Sequence, residues 1–86
     1  MPVKVVKEAP GKYKIVEAAT GRTVATSRDG RKARIHAAIR NKHWLEKHMT
    51  TYKGKRGIWI TLRSGRKIFI PEEKCKKYFR MKGYPI

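Results

Sequence analysis

The sequence predicts a small α+β fold with the elements in the order β-hairpin, helix, β-hairpin, helix. Three observations carry this. Two stretches alternate apolar and polar residues and turn back on themselves at a glycine. Between them runs a long segment of helix formers behind an N-cap signal. A second helix is announced by Pro71-Glu72-Glu73 and stopped by Gly83. With 86 residues and no low-complexity linker, the chain is expected to form one domain over residues 1–86.

Residues 1–12 place Val3, Val5 and Val6 between lysines and then break at Ala9-Pro10-Gly11, which reads as a short, frayed strand and a turn. The stretch from Tyr13 to Thr26 is the first hairpin. A four-residue loop from Ala18 to Gly21 puts Tyr13, Ile15 and Val24 on one face and Glu17 opposite Arg22; a three-residue loop pairs Val16 with Val24 instead. Ser27 and Asp29 are both N-cap candidates for the segment that follows. Along that helix Ile35, Ala38, Ile39, Leu45 and Met49 share a face, interrupted by Lys42. Trp44 falls ~180° from Ile35, on the side of Ala33 and Ala37. A continuous helix therefore needs a second contact for that side, from the chain or from a partner.

Residues 50–57 (TTYKGKRG) read as a loop. In the second hairpin Ile58, Ile60, Leu62, Ile68 and Ile70 are all even-numbered, so they share a face only across a loop with an odd number of residues. The three-residue loop Arg63-Ser64-Gly65 satisfies this and pairs Ile60 with Ile68 and Ile58 with Ile70. The other face then sets Trp59 across from Phe69 and Thr61 across from Lys67, with Arg66 beside Leu62. In the last helix Cys75, Tyr78 and Phe79 form the buried side, and Tyr84 is placed to contact Phe79 in a Schellman stop at Gly83.

Charge narrows the function. The chain carries 23 Lys+Arg against 6 Asp+Glu, a net +17, divided as +8 over residues 1–43 and +9 over residues 44–86. Such a load is spread over the whole chain and destabilises it by self-repulsion, so a polyanion that neutralises it both binds and stabilises. Nucleic acid, DNA or RNA, is the expected partner; an anionic membrane surface and an acidic protein are the alternatives. No apolar run is long enough to span a bilayer, and the N-terminus lacks a signal-peptide core. The single Cys75 excludes a disulfide framework and fits a reducing, intracellular setting such as the cytoplasm, nucleoid or ribosome.

Phosphate contacts are expected from Arg28, Arg31, Lys32, Arg34 and Arg40 on the long helix, where an N-terminus adds backbone N–H donors. Further contacts are expected from Lys53, Lys55 and Arg56 in the glycine loop and from Arg63, Arg66 and Lys67 around the second hairpin turn. Trp59 and Phe69 either offer a stacking platform or form a second apolar face covered by the long helix. Recognition of this kind reads backbone charge with weak sequence preference. His36, His43, His48 and Cys75 lack zinc-ligand spacing, and no cofactor motif occurs. Six scattered acids do not make a metal-dependent nuclease; a metal-free ribonuclease built from His, Lys, Arg and Tyr is a second alternative, and the expectation is a binding protein rather than an enzyme.

The last eleven residues, KKYFRMKGYPI, resemble the C-terminal end of the small SH3-like crenarchaeal chromatin proteins. The resemblance departs from that family in its structure, since Pro71 to Gly83 signals a helix where the family has a strand, and no residue role is carried across.

Overall fold

In the computed structural model, which describes residues 1–86, two three-stranded antiparallel sheets are linked by one long helix. The strands β1 (Val3–Ala9), β2 (Lys12–Glu17) and β3 (Thr23–Ser27) form the first sheet in the order β1-β2-β3. The helix α1 (Gly30–His48) leads to β4 (Thr50–Tyr52), β5 (Lys55–Thr61) and β6 (Lys67–Pro71), which form the second sheet in the order β4-β5-β6. The helix α2 (Glu72–Met81) follows directly. The α+β arrangement and both expected hairpins are present, each hairpin carrying one additional strand.

One of those strands is the short N-terminal strand that the sequence predicts: β1 pairs with β2 along its length, and Val3 is only 3% exposed. The other corrects an expectation. Residues 50–57 are not a loop, because Thr50–Tyr52 pair with Lys55–Gly57 around the two-residue turn Lys53-Gly54. Both turn residues have positive φ, 50° and 77°, the primed geometry whose twist matches paired strands. Lysine rarely adopts that conformation, so Lys-Gly carries little of the signal that Asn-Gly would.

The first hairpin keeps the four-residue loop, with Glu17 N–H donating to the Arg22 carbonyl at 2.9 Å. The register then slips: Val16 faces Thr23, but Ile15 faces Ala25. A β-bulge at Val24 absorbs the extra residue, so Val24 is not the partner of Ile15 that regular pairing requires. The second hairpin has the expected register throughout, from Ile58 opposite Ile70 to Thr61 opposite Lys67. Leu62 and Arg66 close the three-residue loop through an N–H to carbonyl bond of 2.7 Å.

The helix α1 is continuous and capped by Asp29, whose carboxylate accepts from the N–H groups of Arg31 and Lys32. Ser27 supports the cap, accepting from Asp29 N–H through its hydroxyl oxygen. The side turned inward is not the isoleucine side. Ala33, Ala37, Asn41 and Leu45 are buried, whereas Ile35 and Ile39 are each 52% exposed. The reason is steric complementarity: Val3 and Ile15 supply the bulk from the first sheet, and alanines let the helix approach them closely. Further along, Leu45 enters a second cluster with Ile58, Ile70, Cys75 and Phe79. Trp44 packs against that cluster, with its ring centroid 6.2 Å from Phe79. One helix thus serves two cores with a single winding stripe.

Asn41 sits where the two ends of the chain meet. It is fully buried; its Oδ1 accepts from Val3 N–H at 2.7 Å, and its Nδ2 donates to the carbonyls of Val3 at 3.0 Å and Pro85 at 2.6 Å. The stop of α2 is the expected Schellman motif. Tyr84 N–H donates to the Phe79 carbonyl, Gly83 N–H to that of Arg80, and the Tyr84 and Phe79 rings meet edge-on at 5.6 Å. Pro71, which the sequence suggests for the first helical position of α2, occupies the cap position one residue earlier, and Glu72 opens the helix. Cys75 and Phe79 are buried and Tyr78 is half-buried.

Candidate nucleic-acid interface

Pairing in the second sheet sorts its side chains into two faces. Ile58, Ile60, Ile68 and Ile70 point toward α2 and Leu45. The opposite face carries Thr50, Tyr52, Lys55, Gly57, Trp59, Thr61, Lys67 and Phe69. No helix covers it. Trp59 is 42% exposed and Tyr52 40%, while Phe69 is half-buried between them. This decides between the two sequence readings of Trp59 and Phe69: α1 covers neither.

The three rings form a triangle. Centroids lie 4.8 Å apart for Tyr52 and Trp59, and 5.3 Å for Trp59 and Phe69 and for Tyr52 and Phe69. Their planes are tilted or edge-on, the arrangement that aligns ring edges with ring faces. Gly57 makes room for it. A Cβ there would stand 2.7 Å from the Phe69 ring, so only glycine lets that ring lie across the strand. Lys53 places its ammonium 5.3 Å from the Tyr52 centroid, a cation held at the rim of the patch.

Charge on this sheet is one-sided. Residues 50–71 contain six Lys+Arg and no acidic residue. Lys55 and Lys67 share the aromatic face, Lys53 lies at one end of β5, and Arg63 lies in the turn at the other. The strand between those ends is ~20 Å long, so cations bracket the rings along the direction of the chain. All four are exposed.

The remaining expected contacts lie elsewhere. Arg56 is on the helix side of the sheet, with its Nε 3.5 Å from the Glu72 carboxylate, and Arg66 sits beside Leu62 on that same side. Arg28 lines a hollow at the first sheet with Lys12, Lys14 and Glu8, where Lys14 and Glu8 are paired at 2.6 Å. Arg31, Lys32, Arg34 and Arg40 are exposed but do not form one stripe; Arg31 and Arg40, nine residues apart, project from opposite sides of α1. The Asp29 carboxylate already engages two N-terminal amides of α1, Arg31 N–H at 2.8 Å and Lys32 N–H at 3.2 Å. Tyr52 is the residue that sequence reasoning missed. Its signal was the β-forming triplet Thr50-Thr51-Tyr52 ahead of a glycine, which places Tyr52 in the parity of Trp59 once the turn is two residues long.

No three His, Cys, Asp or Glu side chains gather in one place. His48 turns its Nδ1 to the Trp44 carbonyl at 2.9 Å and stacks on the indole at 4.5 Å. The Cys75 thiol is held above the usual thiol range, first by burial and then by the nearby Glu72 and Glu73 carboxylates; its Sγ–H points at the Ile70 and Pro71 carbonyls. No helix is long and apolar enough to cross a membrane. Compared with known proteins, the chain matches no family model, no curated protein and no solved structure.

Proposed function

We propose that this protein binds nucleic acid mainly through its phosphate backbone, with weak sequence preference. The observation that carries the reading is the second sheet, where six cations and no acid accompany a net charge of +17. Phosphate contacts dominate affinity in such proteins and carry no base information. Lys53, Lys55, Arg63 and Lys67 are the principal contacts on this sheet, and the exposed cations of α1 add to the surrounding potential. If about six phosphates are neutralised, log K falls against log salt with a slope of about −5 on duplex DNA and about −4 on a single strand. Binding measured from low to moderate salt by anisotropy tests this. An affinity that ignores salt, or no binding at the lowest salt, refutes it.

A second reading, interaction with an acidic protein, is favoured by one separate feature. Ile35, Ile39, Leu45, Met49 and Ile86 line a groove of about 580 Å³ between α1 and α2, an apolar surface that suits a protein partner, edged by Lys42, Arg56 and Lys76 together with Glu46 and Glu72. A partner retained in pull-down after nuclease treatment supports that reading, and complete loss of partners after nuclease rejects it.

A further inference from the structure

We infer that the open face of the second sheet selects single-stranded over double-stranded nucleic acid by stacking unpaired bases on Trp59 and Tyr52. This rests on the nucleic-acid reading above and adds to it the form of the strand that is bound.

The argument begins with what each form presents. In a duplex the base faces are covered by their neighbours, and only edges and phosphates are accessible; in a single strand the π-faces are free to leave the stack. A surface that offers cations alone has no reason to prefer the single strand. This surface also offers two exposed rings, at 42% and 40% exposure, mounted on β-strands rather than on a mobile loop. Their support is built in. Phe69 packs against both at 5.3 Å and Gly57 leaves it the space, so the rings are braced before any ligand arrives.

Charge selects the occupant. The face holds Lys55 and Lys67 with Lys53 and Arg63 at its two ends, and no carboxylate lies within residues 50–71. A second copy of this chain, also at +17, meets like charge there. A strand that carries one phosphate per base satisfies both the rings and the ammonium groups. The Thr50 and Thr61 hydroxyls on the same face add hydrogen-bonding capacity for sugar or phosphate oxygens. Because the Tyr52 and Trp59 planes meet at 68°, adjacent bases stack on different rings and must splay apart, which a duplex does not permit.

The test uses the full chain with Trp44→Phe, so that Trp59 is the only indole. Three probes are titrated at one low salt concentration: a thymidine 16-mer, a 16-base-pair duplex and inorganic polyphosphate. All three are expected to bind, but only the single strand quenches Trp59 fluorescence. With affinity read by anisotropy of labelled 16-mer or duplex and by competition with polyphosphate, adding Trp59→Ala lowers affinity for the 16-mer roughly 5- to 100-fold and leaves the duplex and polyphosphate within about twofold. Trp59→Phe retains most single-strand affinity, which separates lost stacking from lost folding, and circular dichroism confirms that each variant is folded. If none of the probes binds, the nucleic-acid reading itself fails. If all bind without quenching and Trp59→Ala is silent, the electrostatic reading stands and the stacking proposal is overturned. Stronger quenching by the duplex, or a concentration-dependent blue shift without any probe, also overturns it, in favour of groove binding or self-association respectively.

Discussion

Replacing Asn41 by alanine should destabilise the protein by about 2–3 kcal/mol. Three hydrogen bonds are lost, at 2.6, 2.7 and 3.0 Å, all at a side chain with no solvent exposure. A typical intramolecular bond contributes about 0.5–1.5 kcal/mol net, and a buried partner left without a substitute costs about 1–3 kcal/mol. The Val3 N–H is the most costly orphan, because β1 is pressed against α1 at that point and water has little access. Alanine gives back about 0.5 kcal/mol through its helix propensity, which sets the net figure. For a chain of this size the melting temperature should fall by about 10–20 °C. Asn41→Asp retains the acceptor for Val3 N–H and loses both amide donors, so its loss should be at least as large near neutral pH. Thermal and urea melts followed by far-UV circular dichroism, at fixed ionic strength, measure both variants. A shift below about 3 °C for Asn41→Ala would show that the ends of the chain are not held through this side chain.

The two sides of α1 give an internal comparison: Ile39→Gln should change stability by less than about 0.5 kcal/mol, whereas Ala37→Gln, which forces an amide into a fully buried site, should cost more than about 2 kcal/mol. Equal costs in urea melts would mean that the isoleucine side faces a core after all. The raised pKa of Cys75 has a definite sign: the folded protein holds the thiol proton more tightly than the unfolded chain, so this contribution is present at neutral pH and declines as pH rises past the ordinary thiol value toward the folded one. Cys75→Ala should therefore flatten the alkaline limb of stability against pH. Native Cys75 should label with a thiol reagent only as fast as the protein opens, and labelling at the rate of a free thiol would contradict its burial.

The parts of the fold legible in the sequence are those where a local rule has a single solution. Five even-numbered aliphatic residues permit only an odd loop, and the turn Arg63-Ser64-Gly65, with glycine in the left-handed position, selects the register of β5 and β6 among the odd ones. The Gly83–Tyr84 stop was equally local, since a Schellman motif names its own hydrophobic pair. The orientation of α1 was not legible, because apolar residues occur on several sides of it and isoleucine outweighs alanine in any hydrophobic count. What settles the matter is the size of the opposing side chains, Val3 and Ile15, a non-local quantity. The bulge at Val24 was hidden for a similar reason: it reconciles a turn register with a packing register, and neither alone requires it. In the candidate site, Trp59, Phe69 and Lys67 were legible through strand parity, whereas Lys55, expected in a loop, joins their face only through the pairing of β4 with β5. Tyr52 was not legible, because a lysine at positive φ concealed the turn that brings it alongside.

The bonds of Asn41 also determine where the polypeptide enters and leaves. The Val3 and Pro85 carbonyls accept from one nitrogen, so they lie no farther apart than the two bond lengths together. Both ends therefore emerge on the α1 side, behind the second sheet, while the rings face the other way. A fluorophore, an affinity handle or a fused partner attached at either end departs away from the aromatic face.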